Sequence, residues 1–97
     1  MKSAPQLVGG YRLVCYSPID ERHRFTGQTK QIVRGVLMGA MSGLVICQPP
    51  DSQDFYLFGC DADWNVVTDT WHQTLEEAKE QAEFEYEGVS QTWISVA

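Results

Sequence analysis

Apolar, β-branched and aromatic residues concentrate in short segments along the chain, and this pattern predicts β-strands. The predicted strands are residues 11–16, 31–38, 44–48, 55–60, 64–71 and 92–96. Residues 55–60 are apolar at successive positions, which is typical of a central strand or of a sheet covered on both faces. The short polar turn at residues 61–63 predicts an antiparallel hairpin with the strand that follows it.

A helix is predicted to follow the fifth strand. Thr74 and Glu77 match a capping box, in which the threonine hydroxyl accepts from an amide and the glutamate reaches back to the cap. Gly88 is the expected C-terminal stop. An apolar stripe on one face of the helix comprises Leu75, Ala78, Ala82, Tyr86 and Val89. The order of elements predicts an α+β fold, with a mostly antiparallel sheet of five to six strands and one main C-terminal helix packed on one face.

Composition is that of a globular protein. The 97 residues are 43% apolar and 21% charged, which predicts a single domain over residues 1–97. Cys15, Cys47 and Cys60 lie in apolar segments without a C-x-x-C spacing, and we expect reduced thiols in the core. The first residues carry no signal-peptide pattern, and the longest apolar segment is short for a bilayer span. These features predict a soluble, cytoplasmic protein.

Charge is distributed unevenly along the chain. Residues 1–48 carry six basic and two acidic residues, whereas residues 49–97 carry Lys79 alone against eleven acidic residues. The formal net charge is -6. An acidic total argues against binding to nucleic acid or to anionic membranes, because both depend on cationic contacts. It is compatible with a basic protein partner.

The predicted helix concentrates this negative charge on the side away from its apolar stripe. The candidate partner-binding residues there are Glu76, Glu77, Glu80, Glu83, Phe84 and Glu87. One interpretation is a solvated face that keeps the protein soluble. The other is a docking face for a basic partner, in which Phe84 is either covered by another part of the chain or exposed as an anchor.

Two groups of residues invite a chemical interpretation. Asp61, Asp63 and Asn65 have the spacing of the first ligands in an EF-hand loop, but the later ligand positions do not match. A polar hairpin turn, with aspartates bonded to nearby amides, is favoured instead. Cys60, Asp69 and His72 are a weak candidate for nucleophilic catalysis. We therefore expect no catalytic residue, metal or cofactor.

The C-terminal half carries a distinctive pattern of residues. It reads D-W-N at 63–65, D-T-W-H at 69–72 and E-A-x-x-Q-A-x-x-E-Y at 77–86. This segment resembles a group of small uncharacterised bacterial proteins that end in the same pattern. The resemblance covers roughly residues 55–96 and implies a bacterial source and a strand–hairpin–helix ending. It also implies an immunity-like role, in which a small acidic protein binds a toxin, and it transfers no catalytic residue.

The leading hypothesis is a non-enzymatic protein-interaction module that docks a basic partner through its acidic helix. The first alternative is a self-associating homodimer, because an uncovered apolar face at residues 55–60 could be buried between two copies. The second alternative is a small ligand-binding or hydrolase domain that uses Cys60, Asp69 and His72.

Overall fold

The computed structural model describes residues 2–96, and its main sheet is antiparallel throughout. The strands are β1 (Leu7–Val8), β2 (Tyr11–Pro18), β3 (Arg24–Phe25), β4 (Ile32–Val33), β5 (Val36–Leu37), β6 (Gly43–Gln48), β7 (Phe55–Cys60), β8 (Val66–His72), β9 (Tyr86–Glu87) and β10 (Ile94–Ser95). The helix α1 spans Leu75–Glu85, and a 3₁₀ helix follows at Val89–Gln91. The predicted α+β fold is confirmed.

The main sheet has the strand order β1-β2-β6-β7-β8, and β10 joins the same outer edge of β2 as β1. The sheet curls so far that Gly9, after β1, approaches Val66 at the start of β8. A Cβ atom at Gly9 would lie 3.2 Å from Val66 Cγ2. The remaining strands form two small pairs outside this sheet, β3 with β9 and β4 with β5.

One face of the sheet, the helix face, is covered by α1. Ala78 and Ala82 are fully buried, since their small side chains let the helix approach the strands closely. The cluster they join also contains Cys15, Leu44, Ile46, Leu57, Tyr86 and Val89. Tyr86 is further fixed because its hydroxyl accepts a hydrogen bond of 2.8 Å from the Met41 amide.

The opposite face, the arm face, is covered by the N-terminal arm, residues 2–8. Ala4 and Val8 pack there, and the carbonyl of Lys2 accepts a 3.0 Å hydrogen bond from Trp64 Nε1. Trp64 in turn meets the ring of Tyr16 edge-on at 5.7 Å. The cluster contains Val8, Leu13, Tyr16, Val45, Cys47, Phe58, Cys60 and Trp64. A sheet covered on both faces explains the continuous apolar character of β7.

A bulge in β2 distributes that strand's side chains between the two faces. The register with β6 shifts between Leu13 and Cys15, so Leu13 faces the arm and Cys15 faces the helix. All three cysteines are buried and unpaired, as the sequence predicts. No helix within residues 2–96 has the length and apolar character needed to cross a bilayer.

The strand predicted at residues 31–38 is wrong. The segment instead folds on itself as the separate β4–β5 hairpin, in which Ile32 pairs with Leu37 and Val33 with Val36. Arg34 and Gly35 form the turn with φ of 52° and 79°, the left-handed values that tight hairpin turns require. This two-residue turn reverses the direction of the chain between β4 and β5, so the segment does not add a strand to the main sheet.

The end of the helix also differs from the prediction. The helix stops at Glu85, before Gly88, because Tyr86 already has the extended φ of -138° and pairs with β3. Gly88 adopts φ of 100° and begins the 3₁₀ helix instead. Tyr86 and Val89 are nevertheless buried on the helix face, as the apolar stripe predicts.

Candidate functional site

The outer face of α1, defined here by Glu76, Glu80 and Phe84, is the part of the acidic helix that the rest of the chain leaves open. Both carboxylates are exposed, and neither accepts a hydrogen bond or forms an ion pair within residues 2–96. At about 100° per residue, the three side chains lie on the side opposite the buried alanines. These two charges are therefore available to another molecule.

Glu77 and Glu83 instead hold the two ends of the helix. The predicted capping box is formed in part: the Glu77 amide donates to Thr74 Oγ1 at 3.1 Å, but the Glu77 carboxylate accepts at 3.1 Å from the amide of Gln73, one residue before the cap, instead of from Thr74. Glu83 accepts from the amides of Gly88 at 2.9 Å and Ser90 at 3.0 Å. Burial opposes ionisation of Glu83, but these bonds prevail and lower its pKa. Both glutamates thus stabilise the backbone at the ends of the helix.

Glu87 is paired within the chain. Its carboxylate accepts two hydrogen bonds of 2.8 Å from Arg24, in the small sheet formed by β3 and β9. The hydrogen bonds from Arg24 lower the pKa of Glu87. The predicted six-residue docking set thus divides into an open part, the outer face of α1, and three glutamates that serve the fold.

Phe84 is exposed, which decides between the two alternatives posed by the sequence. Its side chain is 49% accessible, although its carbonyl accepts a 2.8 Å hydrogen bond from Thr26 Oγ1. A second exposed aromatic ring, Phe25, lies next to Thr26 in sequence and packs against Tyr86 at 5.2 Å. An exposed ring on a rigid helix is the kind of residue that anchors protein interfaces.

The basic half of the chain lies beside the C-terminal half of α1. Thr26 bonds the carbonyls of Phe84 and Glu85, and Thr29 Oγ1 accepts from Gln81 Nε2 at 3.1 Å. Arg24 of this segment forms an ion pair with Glu87 in β9, just after the helix. Part of the charge difference between the two halves of the sequence is thus neutralised by an ion pair within the fold.

Glu85 is a buried acid that the sequence analysis did not single out. Its carboxylate accepts a 2.8 Å hydrogen bond from Gln81 Nε2 and lines a small void with Thr68, Thr70 and Tyr86. Burial raises its pKa, and the bond from Gln81 offsets this only in part. The helical angle was a usable signal, because Glu85 falls about 20° from the buried Ala78.

The residues proposed for nucleophilic catalysis do not meet. Cys60 pairs with Val66 at one end of the β7–β8 hairpin, whereas His72 pairs with Phe55 at the other end. Cys60 is buried on the arm face, and burial raises the pKa of its thiol to about 12. Strand register therefore separates Cys60 from His72 by the length of the β7–β8 hairpin.

The turn at Asp61 has the hydrogen bonding expected of a polar hairpin turn. Asp61 Oδ1 accepts from the amides of Asp63 and Asn65, both at 2.9 Å, and Oδ2 accepts from the Asn65 side chain at 3.1 Å. These bonds lower the pKa of Asp61. Within residues 2–96 no group of three or more His, Cys, Asp or Glu side chains is arranged to hold a metal ion.

An open groove lies where β2, β6 and β7 meet the start of α1. Its volume is about 490 Å³. Its walls include Val14, Phe55 and Leu75, and its polar lining includes Arg12, which donates to Gln48. Small-molecule sites have volumes of this order, but Cys60, Asp69 and His72, the residues named for the ligand-binding alternative, do not line this groove.

Comparisons of the chain with protein-family models, with curated proteins and with solved structures find no match. The outer face of α1 is therefore the feature of this chain from which a function can be inferred.

Proposed function

We propose that this protein is a non-enzymatic interaction module that docks a basic partner on the outer face of α1. The observation that carries the proposal is the pair of exposed carboxylates, Glu76 and Glu80, beside the exposed ring of Phe84. Unpaired charges of one sign speed and orient association with a partner of the opposite sign. A half-exposed aromatic ring supplies apolar area at the centre of such a contact.

The rigidity of the helix supports the same conclusion. α1 is capped at its start by Thr74 and Glu77, and Glu83 ties its end to the following turn. A surface that is already ordered loses little conformational freedom on binding, and more of the contact energy is left for affinity. An immunity-like role, in which the partner is a toxin, is one form of this proposed function.

The test is capture of partners by the tagged protein from its native lysate, at low and moderate salt, with identification by mass spectrometry. We expect a stoichiometric basic partner, and about tenfold or greater loss of its binding in Glu76→Lys/Glu80→Lys. The matched control is Asp63→Lys/Asp69→Lys, which makes the same charge change at exposed positions elsewhere.

Neither variant removes a carboxylate that bonds another group within residues 2–96. Glu76 lies in the first turn of α1, however, where a lysine is disfavoured by the positive end of the helix dipole. We expect the control to unfold at the temperature of the wild type, and the helix variant to lose about 0.5–1 kcal/mol of stability and to remain folded. The proposal is contradicted when the captured partner binds both variants equally, or when neither a basic protein nor a second copy of the chain is captured at low salt.

A further inference from the structure

The β4–β5 hairpin presents the most exposed aliphatic surface among the described residues outside the chain ends. Ile32, Val36 and Leu37 are 67%, 61% and 59% accessible. Ile32 and Leu37 are a cross-strand pair and share one face of the hairpin, whereas Val36 pairs with Val33 on the other face. The hairpin pairs with no other strand in the part of the chain that the structure describes. A cluster of apolar residues exposed in this way marks an interaction surface more often than a chance arrangement.

Two cations flank this apolar surface. Lys30 precedes β4 and Arg34 lies in the turn, and both are exposed. Neither forms an ion pair within residues 2–96. The surface that complements the hairpin should therefore combine carboxylates with an apolar centre.

The outer face of α1 has that chemistry. Glu76 and Glu80 offer two free carboxylates, and Phe84 offers the apolar centre. The two surfaces are also neighbours in the fold, because Thr29, just before the hairpin, is bonded to Gln81 of the helix. Neighbouring surfaces of opposite charge form a self-complementary patch, which is what a twofold interface requires.

We propose that the β4–β5 hairpin docks on the outer face of α1 of a second copy of this chain, reciprocally, to form a twofold dimer. Lys30 and Arg34 then face Glu76 and Glu80, while Ile32 and Leu37, which share one face of the hairpin, pack against Phe84. Each copy contributes one hairpin and one helix, so the assembly closes at two copies. The inference rests on the proposed function and identifies the group that docks on the outer face of α1 as the cationic hairpin of a second copy of this chain.

The dimer differs from the one considered from the sequence. That hypothesis placed the interface on β7, but β7 is covered within the chain by α1 on one face and by the N-terminal arm on the other. The β4–β5 hairpin and the outer face of α1 are open in the part of the chain that the structure describes.

The test is a charge exchange, read by sedimentation equilibrium of the full chain at several salt concentrations. The hairpin variant is Lys30→Glu/Arg34→Asp, with aspartate at position 34 because it tolerates the left-handed turn conformation. The helix variant is Glu76→Lys/Glu80→Lys. We expect the wild type to be a dimer that weakens with salt, and each variant alone to dimerise on the order of 100-fold more weakly, because attraction becomes repulsion.

Mixing the two variants gives the decisive measurement. An equimolar mixture is expected to form a heterodimer, since both of its hairpin–helix contacts are again between opposite charges. A chain with all four substitutions is expected to dimerise like the wild type, and Asp63→Lys/Asp69→Lys serves as the control that remains dimeric. Circular dichroism verifies that every variant is folded.

Two results would overturn the inference. One is a wild type that is monomeric at 100 µM, on the order of the concentration where even weak dimers form. The other is a dimer that survives both charge reversals, which would place the interface elsewhere, for example on the open edge of β8. A monomer that still captures a different basic protein through Glu76 and Glu80 overturns this inference and leaves the proposed function standing.

Discussion

Glu85 illustrates how one residue can tie stability to pH. Its side chain is only 7% accessible, and Gln81 is its hydrogen-bond partner among the described residues. Burial disfavours the charged carboxylate and raises its pKa above the ordinary value of 4.5. In the folded protein the group therefore holds its proton to a higher pH than in the unfolded chain. Its contribution to stability is present below about pH 4.5 and is lost as the pH rises through the folded-state pKa.

Glu85→Gln should therefore stabilise the protein at neutral pH. The amide oxygen can still accept from Gln81, while the cost of burying a charge disappears. We expect a higher midpoint of urea unfolding than in the wild type at pH 7, and a difference that shrinks towards zero near pH 4.

The matched control is Glu80→Gln, which removes an exposed charge on the same helix and should show no such pH-dependent difference. Equal midpoints of Glu85→Gln and wild type at both pH values would show that Glu85 carries no burial cost.

The residues missed by sequence reasoning have a common physical cause. The roles of Glu83 and Glu87 depend on Gly88, Ser90 and Arg24, and the bond with Arg24 crosses most of the chain. Helical periodicity identifies which face a side chain occupies, but it carries no information about loops that pack beside that face. Glu85 is the exception, because its angle alone places it next to Ala78.

Among the elements, α1 is stabilised at its start by contacts between residues that are close together in the sequence. The capping box at Thr74 and Glu77 satisfies amides that would otherwise lack a partner at the first turn. It lies within four residues of sequence, which is why it could be predicted without tertiary information.

Thr74→Ala should lower the free energy of unfolding by about 1 kcal/mol, the usual cost of removing an N-cap hydroxyl. The measurement is chemical denaturation followed by circular dichroism at neutral pH. Thr74→Ser keeps the hydroxyl and should stay close to the wild type, whereas equal losses in both variants would mean that the hydroxyl is not the cause.

The strands separate into those that the pattern could predict and those that it could not. The predicted segments at 11–16, 44–48, 55–60, 64–71 and 92–96 correspond to β2, β6, β7, β8 and β10. In β2, β6 and β7 most apolar residues are buried in the sheet, so the pattern reflects that burial, whereas β8 and β10 are mostly half-buried or exposed. The two-residue strands β1, β3 and β9 are defined by their partners rather than by their own composition.

The β4–β5 segment misled the prediction for a related reason. Its apolar residues are exposed instead of buried, and a run of apolar residues looks the same in sequence in either case. The positive φ values at Arg34 and Gly35 allow the tight turn that makes this segment a hairpin. Arginine is uncommon at such a position, so its presence does not indicate this turn.

For the molecule as a whole, the two covered faces of the sheet protect all three thiols. Burial raises the pKa to about 11 for Cys15 and to about 12 for Cys47 and Cys60. Cys15 lies on the helix face, whereas the other two lie on the arm face. The reactivity of the three thiols thus measures how well each face of the sheet is covered.

We expect the native protein to react very slowly with a thiol reagent at pH 8, at the rate at which the fold opens. All three cysteines should react promptly in urea. Absorbance of the released chromophore measures both. Prompt reaction of one thiol in the native state would mean that its layer opens independently of the other.

The position of β2 also determines when the fold can be completed. β2 pairs with β10, so Cys15 lies opposite Ser95 and Tyr16 opposite Ile94, contacts that span nearly the whole chain. Closing so large a loop is entropically costly, and folds dominated by such pairings form slowly. On the ribosome, the hairpins of β6, β7 and β8 can form early, while β2 keeps part of its edge unpaired until the last strand has been synthesised.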